Sequence, residues 1–386
     1  MTPFVFNTTK SVVFETGASA HLADIAGKTL GTHCFLVTDP VLRSLGLCDA
    51  AISSLETAGH TVTIFDSVEA DPSRETLMAA VEAGRAAGIT GVLGFGGGSS
   101  LDIAKLVALL LGSGEDLDDV WGVAQAKGPR LPLVLVPTTA GTGSEVTPVS
   151  IITVGAEEKR GVSSAEILPD IAILDAELTL GLPPHITAAT GVDAMVHAIE
   201  AYASKNPNNN PHSRMLAREA LRLLGANIET AVFDGTNRDA RGAMLLGSIL
   251  AGQAFANSPV AAVHALAYPI GGTFHVPHGL SNALVLPHVL RFNASEANAL
   301  YAEIAADAFP QLSTIENSEE RCDAFIGALA KLSSSLKMQT RLRDVDIPED
   351  AIGKMASDAM LQQRLLVNNP RPVSEQDAFD IYKAAW

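Results

Sequence analysis

Asp193 and His197 stand four residues apart in GVDAMVHAIEAY, and His264 and His278 stand fourteen apart in HALAYPIGGTFHVPHG. On a helix, residues i and i+4 project from one face a turn apart, so the first pair offers a carboxylate and an imidazole together. The second pair, spanned by a Pro- and Gly-containing segment that reads as a loop, closes a cage from another element. Three imidazoles and one carboxylate make a nitrogen and oxygen donor set suited to a borderline divalent ion, Fe(II) or Zn(II). Any one of the ten histidines is more simply read as a structural or exposed group. These lie among apolar neighbours, however: Val192, Ala194, Met195, Val196, Ala198 and Ile199 on one side, Val263, Ala265 and Leu266 on the other. A charge buried there is costly alone, and coordination of a cation offsets that cost.

The first half carries a different chemistry. GVLGF-GGGSS-LDIAK reads as strand, glycine turn and helix. Gly96, Gly97 and Gly98 let a ligand approach the backbone, Ser99 or Ser100 can cap the helix, and its free amides form an anion site suited to a pyrophosphate. Alone, such a turn serves equally well to reverse the chain. A second loop, PTTAGTGSE, places Thr138, Thr139, Thr142 and Ser144 just past a strand, where open α/β sheets bind ligands. Its hydroxyls could also satisfy their own backbone. Asp39 ends the strand-like HCFLVTD, where a carboxylate can accept from ribose hydroxyls and would repel a ribose phosphate. It precedes the glycine turn, against the usual Rossmann order, and also suits a plain turn before Pro40.

These residues must be positioned by two unlike halves. Short β-branched runs at His33–Thr38, Thr61–Phe65, Gly91–Phe95, Leu133–Val136 and Ile171–Leu174 alternate with helical patterns at Ser73–Ala87 and Leu101–Leu111. Such alternation predicts a mostly parallel sheet covered on both faces. After Leu182-Pro183-Pro184 the pattern becomes helical: Ile186–Ala203, His212–Glu229, Arg238–Phe255, Ser295–Ala308, Glu319–Lys337 and Pro348–Ala359. We expect an α/β domain over residues 1–182 and an all-helical domain over 183–386, with NPNNNP at Asn206–Pro211 as a surface loop.

Bulk properties exclude several functions. With 26 Lys+Arg against 43 Asp+Glu the chain carries −17, which leaves no electrostatic footprint for nucleic acid or an anionic membrane surface. Cys34, Cys48 and Cys322 are widely spaced and lack a CxxC pattern; they read as thiols in a reducing compartment, so we expect a cytoplasmic protein. No apolar run is long enough for a transmembrane helix, and the N-terminus does not resemble a signal peptide.

Taken together, GGGSSLD, PTTAGTGSE, GVDAMVHAIEAY, HALAYPIGGTFHVPHGLSNALVLPHVLRFN and the closing QTRLRDVDIP…NNPRPV resemble the iron-containing (group III) alcohol dehydrogenase family over essentially the whole chain. The resemblance implies a dinucleotide-binding α/β domain, a helical domain and a cleft between them, with Asp193, His197, His264 and His278 as metal ligands. It places Gly96 to Ser99 at the pyrophosphate with Thr138, Thr139 and Thr142 nearby. Asp39 falls where members preferring NAD to NADP often carry Asp, and Lys159 matches a lysine at the cofactor, although a lysine in EEKRG is otherwise an ordinary solvated charge. One position departs from the pattern. Many members read HxxxH at the last metal segment, where this chain has Tyr268, so the proton role proposed for that second His does not carry over unchanged. His275 is then the candidate for orientation or proton transfer, against a reading as a surface-loop histidine.

The implied reaction is hydride transfer between NAD(H) and a short-chain primary alcohol, diol or aldehyde whose oxygen sits on the metal. Glycerol dehydrogenase-like and maleylacetate reductase-like enzymes share the architecture, and a non-catalytic metal or nucleotide sensor is the reading from another class. The resemblance also implies a homodimer or larger homo-oligomer.

Overall fold

A computed structural model describes residues 3–155 and 158–386. Nine strands are present among them: β1 Ser11–Phe14, β2 His33–Val37, β3 Thr61–Phe65, β4 Gly91–Gly96, β5 Gly122–Val123, β6 Leu133–Pro137, β7 Val149–Val154, β8 Glu158–Ser163 and β9 Ile171–Leu174. Six of them form a wholly parallel sheet in the order β1-β9-β6-β4-β2-β3. The five runs expected from sequence are all in it.

Every residue of β4 and of β6 is buried. Successive side chains feed opposite cores: Phe35, Val92, Leu133 and Leu135 pack on one face, Leu36, Leu93, Val134 and Val136 on the other. That two-sided burial is why the strands read as unbroken apolar runs. Helices α1 Asp49–Thr57, α2 Arg74–Ala87 and α3 Gly98–Ser113 cover the sheet. Gly94 is required by the close fit of α3, since a Cβ there would stand 2.5 Å from Leu135 and 2.7 Å from Ala104.

Sequence reading missed β1 and the small sheet β5-β8-β7, in which β7 and β8 pair antiparallel. The residues of β8, EKRGVS, are mostly polar and half-exposed, so hydrophobic alternation gave no signal.

Strand order settles the oddity of Asp39. The chain leaves β2 for β3 on one side, then crosses back so that β4 lies directly against β2 in parallel register, Val37 opposite Gly94. The direction of winding therefore reverses between β2 and β4, and open α/β sheets bind ligands at the carboxyl ends flanking such a reversal. Asp39 follows one of those strands and Gly97 the other.

The chain divides into two compact units. One comprises Asn7–Thr139 and Gly143–Leu180; the other comprises Ala140–Thr142, Gly181–Trp386 and an N-terminal segment ending at Phe6. The second unit is helical: α4 Pro184–Ala203, α5 Pro211–Phe233, α6 Arg238–Asn257, α7 Ala262–Phe274, α8 His278–Ala308, α9 Ser318–Ser335, α10 Ile352–Ala359 and α11 Glu375–Ala385. Pro184 and Pro211 occupy first-turn positions, where a missing N–H is harmless and φ is preset. From Gly191 to Ala203 α4 is buried all round, as an apolar helix must be.

Two expectations are corrected here. The spacer between His264 and His278 is not a loop: α7 continues through Pro269 to Phe274, leaving three residues before α8. Nor is NPNNNP a bare surface loop. Asn210 is buried and caps α5 by accepting from Ser213 N at 3.0 Å, while Asn209 Nδ2 donates to the carbonyls of Ala201, Tyr202 and Ser204. No helix among the described residues is long and apolar enough to cross a membrane.

Candidate metal centre and nucleotide loops

Asp193 and His197 come from α4, His264 from the first turn of α7, and His278 is the first residue of α8. One atom of each lies within 4.8 Å of the others. His197 and His264 stack with ring centroids 4.8 Å apart, and the rings of His264 and His278 follow at 5.4 Å. Phe255 closes the far face of His197 at 4.3 Å. Gly279 lets α8 begin this close to α4, because a Cβ there would meet the Ala189 carbonyl at 2.3 Å.

Second partners set the direction of the lone pairs. His197 Nδ1 donates to the Gly141 carbonyl at 3.2 Å, and His264 Nδ1 donates to Glu200 Oε2 at 2.6 Å. Each ring is thereby left with its Nε2 lone pair toward the cluster, the arrangement of metal-binding histidines. Burial pushes the His197 imidazole down to about 3, so it stays neutral and able to coordinate. Burial alone would raise Asp193, but the three imidazoles and the Asn282 amide bring its carboxyl below the ordinary value. Convergent lone pairs and an ionised carboxylate, with Asp193, His197 and His264 all buried, fit a divalent cation.

Glu200 and Asn282 escaped the sequence reading. Glu200 is buried, and its other oxygen accepts from Val263 N at 2.7 Å. Its signal was present: it lies seven residues beyond Asp193 and three beyond His197, on the same helical face. Asn282, one turn after His278, donates from Nδ2 to Asp193 Oδ1 at 2.6 Å and lies 3.3 Å from Nε2 of both His264 and His278.

At the glycine turn, α3 starts at Gly98 with Gly97 as its N-cap and no side-chain cap. Ser99 and Ser100 lie inside the first turn, so neither caps the helix as expected. A Cβ on Gly97 would come no nearer than 3.7 Å to any neighbour, namely Thr139. Thr138 follows β6 and is tied back by its N–H to the Gly96 carbonyl at 3.0 Å. Asp39 does act as a turn residue, Oδ1 accepting from Val41 N and Leu42 N, both at 2.9 Å. Thr142 groups with the helical unit, next to the Gly141 carbonyl that orients His197.

Ser144 and Lys159 are otherwise engaged. Ser144 Oγ donates to Asp102 Oδ1 at 2.6 Å and accepts from Lys105 Nζ at 2.7 Å. Lys105, wholly buried, also donates to Thr147 Oγ1 and the Val149 carbonyl, so this network staples the polar loop to α3. Burial lowers the Lys105 ammonium to about 8 and raises the Glu145 carboxyl to about 7. Neither carboxylate oxygen of Glu145 has a hydrogen-bond partner among the described residues. Two charges in the otherwise apolar LDIAKLVALLL were the only hint of this cluster. Lys159, on β8, pairs with Asp71 at 2.8 Å and donates to Thr153 Oγ1 at 2.9 Å.

Two family models cover nearly the whole chain: iron-containing alcohol dehydrogenase over residues 9–176, and the C-terminal part of the Fe-containing alcohol dehydrogenase family over 187–386. The chain belongs to the iron-containing alcohol dehydrogenase family. Its similarity to individual members is equally extended. Long-chain-alcohol dehydrogenase 1 of Geobacillus thermodenitrificans is 40% identical over 363 residues, covering 93% of this chain and 91% of the relative. A solved 1,3-propanediol oxidoreductase superposes with a TM-score of 0.95 at 34% identity, covering all of both chains. Sulfoacetaldehyde reductase from Bifidobacterium kashiwanohense, solved in complex with NAD+, gives 0.88 at 27% identity, covering 100% of this chain and 99% of that one. This iron-containing alcohol dehydrogenase family member is accordingly an oxidoreductase with a candidate His/Asp metal site.

Proposed function

We propose that this chain is an NAD-dependent, metal-dependent alcohol dehydrogenase and aldehyde reductase acting on short-chain primary alcohols, diols or aldehydes. The observation that carries the reading is the convergence of Asp193, His197, His264 and His278 within 4.8 Å, with two imidazole tautomers set by Gly141 and Glu200. These four hold the ion, Fe(II) or Zn(II), since the same donors bind both. A divalent ion there supplies Lewis acidity toward the alcohol or carbonyl oxygen, and a nicotinamide gives or takes the hydride.

The protein's part is binding, orientation and proton handling. In this reading residues 1–182 hold the nucleotide and 183–386 the metal. The uncapped amides at Gly97, Gly98 and Ser99 take the pyrophosphate, Thr138, Thr139 and Thr142 line its approach, and Asp39 accepts from the ribose. Lys159 reaches the cofactor only by sharing itself with Asp71, and Ser144 acts by bracing its loop. Phe255 excludes water from the His197 side. The proton passes to solvent through Tyr268, beside His278 at 6.4 Å between ring centroids, or through His275, an exposed residue that ends α7 with φ 55°.

A cytoplasmic homodimer or larger assembly completes the reading. It is supported by the free, buried Cys34, Cys48 and Cys322 and by edge strand β1, which exposes Val12 and Phe14. The test is anaerobic purification, metal analysis and an NADH-oxidation assay on short aldehydes. About one Fe or Zn per chain with turnover is expected. Neither metal nor turnover, even after Fe(II) or Zn(II) is restored, overturns the reading.

A further inference from the structure

Three of the four candidate ligands are buried, whereas the His278 side chain is 42% exposed, so the cage opens on the His278 side. Tyr268 lies there, one helical turn beyond His264. Its hydroxyl accepts a 3.0 Å hydrogen bond from Arg364 Nη2, and the guanidinium carbon stands 5.7 Å from the ring centroid. The order outward is cage, His278, phenol, guanidinium.

Arg364 is anchored through its backbone. Its turn, Gln363–Leu366, buries Leu365 and Leu366. The Asn368 amide donates both to the Arg364 carbonyl at 3.0 Å and to the Val260 carbonyl at 3.1 Å, tying the turn to the approach of α7. The guanidinium itself meets no acid. Among the described residues Arg43, Arg74, Arg85, Arg130, Arg160, Arg218 and Arg222 each pair with a carboxylate, and Arg241, Arg321 and Arg371 meet no acid but donate to backbone carbonyls, while the Arg364 side chain donates only to the Tyr268 hydroxyl. Arg364 is exposed, and its other guanidinium N–H groups have no hydrogen-bond partner among the described residues, which leaves them available at the open side of the site.

We propose that Arg364 and Tyr268 form an anion-binding subsite beside the metal cage, and that the aldehyde reduced by this enzyme carries a terminal carboxylate or sulfonate. The inference rests on the alcohol dehydrogenase reading and narrows its substrate class. A guanidinium fork binds two oxygens of such a group in parallel, and the phenol, while accepting from Arg364, donates its own proton to the same anion. The carbonyl end then points back toward the cage.

The experiment compares kcat/KM of the metal-loaded enzyme for succinic semialdehyde and sulfoacetaldehyde with that for butanal and propanal, in wild type, Arg364→Gln and Arg364→Lys. Wild type is expected to favour an anionic aldehyde, and which one it favours separates carboxylate from sulfonate. Arg364→Gln should lower the anionic-to-neutral ratio about 10- to 100-fold, chiefly through KM, and Arg364→Lys should recover part of it. Calorimetric binding of 3-hydroxypropionate and isethionate, without nucleotide, should weaken in parallel and weaken further with salt. An unchanged ratio overturns the proposal, as does an equal loss on neutral and anionic aldehydes, which would make Arg364 a brace for Tyr268. Turnover of neutral aldehydes without Arg364-dependent anion binding defeats the subsite alone. Arg364-dependent anion binding with no turnover of any aldehyde defeats the dehydrogenase reading and leaves the subsite standing.

Discussion

Glu200 Oε2 lies 2.6 Å from His264 Nδ1, and the same carboxylate takes the amide of Val263 through its other oxygen at 2.7 Å. One buried side chain on α4 thus sets the tautomer of a candidate ligand on α7 and holds the backbone just before it. Such partners of ligating histidines are often worth a factor of 10 to 100 in metal affinity.

Replacement of Glu200 by Gln should therefore weaken metal retention by about 10- to 100-fold with the helical fold intact. Competitive titration against a chelator measures the affinity, and circular dichroism monitors the helices. Wild-type affinity in the variant would reduce Glu200 to a packing role.

Two glycines separate structure from binding. At Gly97 the space for a methyl group exists within the protein and φ is −74°, whereas at Gly94 a Cβ would collide with Leu135 at 2.5 Å. Gly97→Ala should change stability by less than about 1 kcal/mol yet raise the Kd for NAD(H) at least about tenfold by blocking approach to the helix amides. Gly94→Ala should instead destabilise by about 1–3 kcal/mol through overpacking. Denaturant melts and NADH fluorescence titrations read the two effects; unaltered NADH binding by Gly97→Ala removes the turn from the nucleotide site.

Asp39 is both a cap and a candidate ribose contact, and the two roles can be pulled apart. Serine keeps the cap, since it serves that position as well as aspartate does, but removes the charge that would repel a ribose phosphate. Asp39→Ser should shift the NAD/NADP ratio of kcat/KM toward NADP by about 10-fold or more with little loss of stability. A ratio that does not move assigns Asp39 to capping only.

Glu145 gives a pH signature. Its ordinary value is 4.5 and burial raises it to about 7 in the fold, so the folded protein holds the proton more tightly than the unfolded chain. The stabilisation is complete below the ordinary value and lost as pH rises to about 7. At about 1.4 kcal/mol per unit, the loss is of order 3 kcal/mol. Lys105, lowered to about 8, is charged in both states across that window and adds no slope. Unfolding free energy of wild type minus that of Glu145→Gln should fall between pH 5 and 7; a flat difference means Glu145 reaches solvent or a partner.

The candidate cluster of Asp193, His197, His264 and His278 was legible because its information is local. The Asp193 and His197 spacing lies within one helical turn, and a carboxylate with imidazoles among apolar residues is costly to bury unless a cation binds it. The α/β half was less so. The end of β2 and the glycine turn after β4 are visible in the sequence, but their adjacency depends on which strands pair. That is why Asp39 looked out of order until β2 and β4 proved to be neighbours. Ser144 looked like a ligand-facing hydroxyl because its partners Asp102 and Lys105 lie about forty residues away.

The chain alone determined five strands of the parallel sheet, most of the helical half, the candidate donor set and the family, since periodicity and ligand chemistry are properties of short segments. Tertiary structure decided that α7 carries Tyr268 out to Arg364, that Glu200 and Asn282 support the cage, and that Lys105 and Glu145 share a buried site. Those relationships join residues brought together only by packing, where the cost of burying a charge or leaving a donor unmatched is set by whatever neighbour the fold supplies.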